Sequence, residues 1–169
     1  VIDARERVKE RAGPTPVLLK IAPDLTLGDL DDAVGIARGR RVDGMIVGNT
    51  TVARPAGLRE AGKAKEAGGL SGRPLFALAT RMLAETYVRA EDAFPLIGVG
   101  GIDSGAAAVA KIRAGATLVQ LYSGLVFHGL SLVAEIKSAL AAAVSGPHER
   151  LGDLVGMDAA AMTAEEWPV

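Results

Sequence analysis

The chain has 169 residues, enough for one domain with a real core, since domains usually run to about 100–150 residues. Its 19 Lys and Arg against 20 Asp and Glu give a formal net charge of -1, without the basic excess that binding a nucleic-acid backbone requires, so no nucleic-acid partner is expected. With 49% hydrophobic residues disorder is excluded for most of the chain, the absence of cysteine excludes disulfides, thiolate metal sites and a cysteine nucleophile, and two histidines leave little for a metal site, so none is expected.

The chain opens without Met, in a charged stretch from Arg5 to Arg11 that reads as a helix stopped by Gly13-Pro14. This gives the expectation that it begins part-way through something larger. No apolar run reaches the length of about 18 residues that a membrane span needs, so no membrane segment is expected in this chain. The first strand is predicted at Val17-Leu18-Leu19-Lys20-Ile21, followed by a helix that starts at Thr26, carries Asp29 three residues on, and repeats Leu30, Ala33, Val34 and Ala37 on one face. A second strand, Gly44 to Val47, leads into a long connection from Asn49 to Arg73, whose glycines suit a mobile lid over a ligand. A helix opening near Pro74 and running through Tyr87 follows. The third strand is Leu96 to Val99, and Ser104 is placed to cap a helix from Gly105 to Ala114, with Gly115 as its left-handed stop. The fourth strand is Leu118 to Leu121, and a last helix is predicted over Leu130–Val144. Residues 145–169 read as a helical surface tail.

Near-continuous apolar strands alternating with helices describe a parallel sheet buried on both faces, either open or part of a (β/α)8 barrel. In either plan the site lies at the carboxyl ends of the strands. Lys20, inside an apolar run, must send its ammonium to a polar pocket or snorkel to solvent. Asp24 reads as a turn residue. Asn49-Thr50-Thr51 offers an amide and two hydroxyls for a small polar ligand, or an Asx or Ser/Thr turn. Gly98 to Gly105 runs from strand end through a glycine turn to a helix start, which is either an anion cradle suited to phosphate or a tight turn without a ligand. It lacks the dinucleotide fingerprint, because Asp103 stands where the third glycine belongs. Tyr122-Ser123-Gly124 makes a second small turn after the next strand, where barrels hold phosphates, although Ser123 could be a simple cap. Arg54 and Arg73 read as solvated loop charges, and His128 and His148 as surface or cap residues. Lys20 beside phosphate turns is also the layout of a Schiff-base aldolase, and a catalytically inert phosphate-binding fragment is the non-enzymatic alternative.

Five linked segments carry a resemblance. Leu19-Lys20-Ile21-Ala22-Pro23-Asp24-Leu25, Asn49-Thr50-Thr51-Val52 with Arg54, Gly68-Gly69-Leu70-Ser71-Gly72-Arg73-Pro74-Leu75, Ile97-Gly98-Val99-Gly100-Gly101-Ile102, and Ile112-Arg113-Ala114-Gly115-Ala116 with Leu118 to Ser123 resemble, in order and spacing, the class 2, quinone-linked dihydroorotate dehydrogenases. The resemblance implies a (β/α)8 barrel of the TIM type, of which this chain supplies about the C-terminal half as four βα units within residues 1–144. It implies FMN as cofactor, dihydroorotate and orotate as substrate and product in pyrimidine biosynthesis, quinone as electron acceptor, and a peripheral place on the cytoplasmic side of the inner membrane for the intact enzyme.

Carried over by position, the resemblance assigns Lys20, Gly48, Gly72, Gly101, Tyr122 and Ser123 to FMN and Asn49 and Thr50 to the substrate, with Gly101 and Ser123 at the phosphate. Gly48 stands where many relatives carry Thr or Ser, which leaves only its backbone for the cofactor. The family's serine base falls upstream of the position of Val1, so no catalytic residue is assigned here, and an isolated half-barrel is expected to self-associate through its open edges.

Overall fold

The structure is a computed structural model that describes residues 1–13, 15–55, 58–59, 62–144 and 150–168. Pro14 and His148, which figured in the sequence reading, and Gly57, one of the glycines of the long connection, lie outside the described residues. Four strands, β1 (Leu18–Ile21), β2 (Gly44–Val47), β3 (Leu96–Val99) and β4 (Leu118–Gln120), form one parallel sheet in sequence order. Helices α1 (Ile2–Ala12), α2 (Leu27–Gly39), α3 (Phe76–Ala90), α4 (Gly105–Arg113), α5 (Ser123–His128), α6 (Ser131–Ala143) and α7 (Ala159–Ala164) complete the chain.

Local signals set most boundaries. Thr26 caps α2 through a reciprocal capping box with Asp29, and the Ser104 hydroxyl accepts the Ala107 N–H at the start of α4. The residues around Pro74 form a 3-10 turn, Arg73–Leu75, before α3 begins. The predicted Leu130–Val144 helix is α6, and Gly129, with φ 65°, separates it from the short α5 that precedes it.

The sheet departs from the expectation of burial on both faces. Register aligns Lys20, Ile46, Ile97 and Leu118 across the four strands on one face, and none of the four is buried. The alternate residues Ile21, Met45, Val47 and Leu96 are buried against the helical layer. Helices therefore cover a single face, and the other is the concave face that in a barrel looks inward. The apolar character of both sets made the strands look doubly covered, because a barrel interior and a helical cover select the same residue types.

The tail contributes to the core. Leu154 and Ala159 are buried, the Gly156 and Asp158 N–H groups donate to the carbonyls of Ile112 and Arg113, and Arg113 forms a two-pronged pair with Asp158 at 2.6 Å. Higher on α3, Arg81 donates to the carbonyls of Thr163 and Glu165, lies 5.1 Å from the Trp167 ring centroid, and pairs at 2.9 Å with the buried carboxylate of Glu85. Removing one partner of such a pair leaves the other desolvated and under-compensated. Arg81→Leu is expected to destabilise the fold by about 3 kcal/mol and to expose residues 150–168 to proteases, read by denaturant unfolding and limited proteolysis.

Candidate functional site

The carboxyl ends of the four strands lie side by side, and a cavity of about 280 Å³ opens over them. Lys20, Gly48, Asn49, Thr50, Gly72, Gly101, Tyr122 and Ser123 all border it, whereas the Thr51 hydroxyl, also offered to a ligand by the sequence, is buried away from it on Asp24. Lys20 stands on the open face of β1, and among the described residues its ammonium has no hydrogen-bond or ion-pair partner, which leaves its charge available to the cavity.

The segment after β2 is held from behind. Asp24 accepts the Thr51 hydroxyl at 2.5 Å and the Val52 N–H at 3.1 Å, so it organises the next strand's loop as well as its own turn. Thr51 is buried and pairs through its backbone with Leu70, which closes the long connection on itself. Arg54 is the clamp of that loop. Its guanidinium donates to the carbonyls of Thr51, Val52, Ala53, Ala64, Glu66 and Gly68, and the expectation of a solvated charge is corrected accordingly. A fork of five donors is the one side chain that can satisfy so many carbonyls lacking a regular ladder. Gly69 passes so close to Thr50 that a Cβ there would stand 2.0 Å from the Thr50 hydroxyl oxygen. Held in this way, Asn49 and Thr50 stay exposed at the cavity edge, with the Asn49 amide oxygen accepting the Thr50 N–H at 2.9 Å and its amide donors facing outward from that contact.

On the other side of the cavity the two small turns meet. The Ser123 hydroxyl donates to Ser71 Oγ at 2.9 Å, which ties the turn after β4 to the Gly72 segment. Gly101, at φ 74°, is required by packing as well as by conformation, since a Cβ there would lie 2.5 Å from Phe76 Cα. Arg73, mostly exposed, pairs with Asp103 at 2.9 Å beside these turns. Tyr122, at the cavity edge, is 82% exposed, and Val126 and Phe127 of α5 and Leu130 beyond it are exposed as well.

Lys111 was not found by sequence reasoning. It lies on α4 and is wholly buried, with Nζ donating to the Val99 carbonyl at a long 3.4 Å and lying 5.1 Å from the Phe76 ring centroid. Burial pushes its pKa down to about 7. The available signal was its position three residues after Ala108 and one before Ile112, both buried, on the stripe that an amphipathic helix turns inward.

A comparison with known families finds that the profile of the family described as dihydroorotate dehydrogenase matches residues 3–144. The chain belongs to the dihydroorotate dehydrogenase family. Among its curated relatives, a dihydroorotate dehydrogenase (quinone) of Bradyrhizobium diazoefficiens is 68% identical over 99% of this chain, and one of Rhodopseudomonas palustris is 69% identical over all of it. The chain spans 46% and 47% of those two proteins, about half the length of the relatives it matches. Two solved dihydroorotate dehydrogenase structures from Eimeria tenella, one in complex with ferulenol and one ligand-free, superpose with TM-scores of 0.82 and 0.80 at 33% and 34% identity, covering 92% and 89% of this chain. The four βα units are thus the part of a dihydroorotate dehydrogenase barrel that this chain spans, in a family of generally flavin-dependent oxidoreductases. Among the described residues no helix is long and apolar enough to cross a membrane.

Two outcomes follow from the site. Arg54→Ala frees six carbonyls from their shared donor, and faster proteolysis within residues 49–73 is expected, with Arg54→Lys restoring little because an ammonium lacks the fork. Lys111 releases its proton near pH 7 in the folded chain and near its ordinary value of 10.5 when unfolded, so between those limits the unfolded chain holds the extra proton. Stability is therefore expected to rise with pH across that window and to level off below about 7, where both states hold the proton, while Lys111→Met removes that part of the slope in denaturant titrations run at several pH values.

Proposed function

We propose that this chain supplies about half of the flavin site and two substrate contacts of a dihydroorotate dehydrogenase, which oxidises dihydroorotate to orotate in pyrimidine biosynthesis and passes the electrons to quinone. The observation that carries the reading is the gathering of Lys20, Asn49, Thr50, Gly72, Gly101 and Ser123 around one cavity at the strand ends of a chain from this family.

The fit to FMN rests on the donor set. An unpartnered ammonium borders one wall and two small backbone turns border another, which suits a ligand with an electron-accepting ring and a phosphate. When bound, the flavin supplies a two-electron acceptor. Lys20 places positive charge against that ring and favours the form that carries extra negative charge. Gly48 and Gly72 offer backbone only, Gly101 and Ser123 hold the phosphate, and Tyr122 closes the edge of the cofactor site. Asn49 and Thr50 orient the substrate through an amide and a hydroxyl kept in place by the Asp24 and Arg54 contacts behind them. The base that removes the substrate proton belongs to the half of the relatives that this chain does not span.

Quinone as acceptor and a peripheral place at the cytoplasmic face of the inner membrane rest on the family match alone, and the family's quinone and membrane segment falls in the half that this chain does not span. The sheet edges β1 and β4 are unpaired among the described residues, which supports pairing there with the remaining strands of a barrel or with a second copy. The division into a barrel part, 1–144, and a following tail, 145–169, is proposed on the family match to residues 3–144, with Leu154 and Ala159 of the tail packed into the barrel part's core.

The test is a visible spectrum of the protein with FMN, followed by dihydroorotate, with the complementary half present. A bound flavin that bleaches on adding dihydroorotate is expected, with Lys20→Met slowing the bleaching by about a hundredfold. Borohydride with substrate is expected to leave no adduct on Lys20, and a trapped adduct would move the assignment to Schiff-base chemistry.

A further inference from the structure

The buried ammonium of Lys111 is not used by the reading above, yet its contacts lead to the glycine turn. The Val99 carbonyl that it meets belongs to the residue before Gly100-Gly101, and the Phe76 ring that it faces is carried by the residue on which Gly101 packs. Val99, Gly100 and Gly101 border the cavity whereas Lys111 does not, so the charge sits behind the turn.

Among the described residues, nothing on the surrounding elements pairs with it. Strands β3 and β4 carry no charged residue, Glu85 of α3 pairs with Arg81 and Arg89, Arg113 of α4 pairs with Asp158, and Glu135 of α6 accepts the Gly105 N–H. Lys137 of α6 is exposed. A cation buried without a counter-ion acts through a medium of low dielectric and is little screened by salt. Its hydrogen bond has a second effect. In a planar trans peptide the C=O and N–H point in opposite directions, so holding the Val99 carbonyl toward α4 turns the Gly100 N–H away from it.

We infer that Lys111 is a positioning residue for a phosphate monoester at the Gly100-Gly101 turn, fixing the Val99–Gly100 peptide and supplying from behind the positive charge that the anion meets. This rests on the proposal that the turn holds the phosphate of FMN. It adds a residue outside the cavity and a specific consequence, namely that the charge acts on the phosphate and not on the flavin ring.

Comparing FMN with riboflavin, which lacks the phosphate, isolates that consequence. Dissociation constants for both are measured by flavin fluorescence, with the complementary half present, for the chain and for Lys111→Met, whose unbranched apolar side chain suits the buried position. The chain is expected to prefer FMN, and the variant to lose about tenfold of that preference while its riboflavin affinity stays unchanged. In the unmodified chain the preference is expected to weaken between pH 6.5 and 9 as Lys111 loses its charge, which gives a reading that does not depend on the variant folding. Equal preference for FMN in chain and variant, with no pH effect, overturns the role of Lys111 and leaves the phosphate turn standing. A chain that does not distinguish FMN from riboflavin, or binds neither, overturns the phosphate reading of the turn and this inference with it.

Discussion

Parallel pairing in sequence order is the constraint on which the rest depends. Each crossover through a helix returns the chain to the same end of the sheet, so the four strand ends, with Lys20, Gly48, Gly100 and Leu121 at or just past them, are brought together although they are up to a hundred residues apart in sequence. The register also selects faces. One residue of slip in β1 would turn Lys20 into the helical layer and Ile21 onto the concave face, so burial of Ile21 and exposure of Lys20 are two aspects of the same pairing.

Around this frame the site is stabilised from behind. Asp24 and Arg54 hold the Asn49–Ala53 segment without bordering the cavity, and Lys111 holds the Val99 carbonyl from the helical layer. Residues at the cavity edge are left with unused donors while their neighbours' polar groups are satisfied. This division lets a cavity stay polar at little cost in stability.

Strand positions, the Thr26 and Ser104 caps, and Lys20, Asn49, Thr50, Gly101 and Ser123 were legible from signals within a few residues, namely apolar runs, a capping box and small turns at strand ends, whereas Gly48 and Gly72 were reached only through the family resemblance. Arg54 was misread because the carbonyls it serves at Ala64, Glu66 and Gly68 reach it only once Thr51 pairs with Leu70, a contact that composition does not encode. Lys111 escaped because a lysine on a helix is ordinarily solvated, and only its place on the apolar stripe marked it. The open sheet face was read as covered because the same apolar residues serve a barrel interior and a helix contact.

The tail runs beside α3, from Val155, whose carbonyl meets the Tyr87 hydroxyl, to Trp167 at Arg81. Residues 150–168 leave the ribosome after everything they cover. Until they emerge, the outer flank of α3 remains wetted, and Arg81 and Glu85 form their pair in water and not beneath a protein layer. Residues 150–168 therefore dehydrate an ion pair laid down some seventy residues earlier, and maturation of the helical layer on that flank is coupled to the arrival of this later stretch.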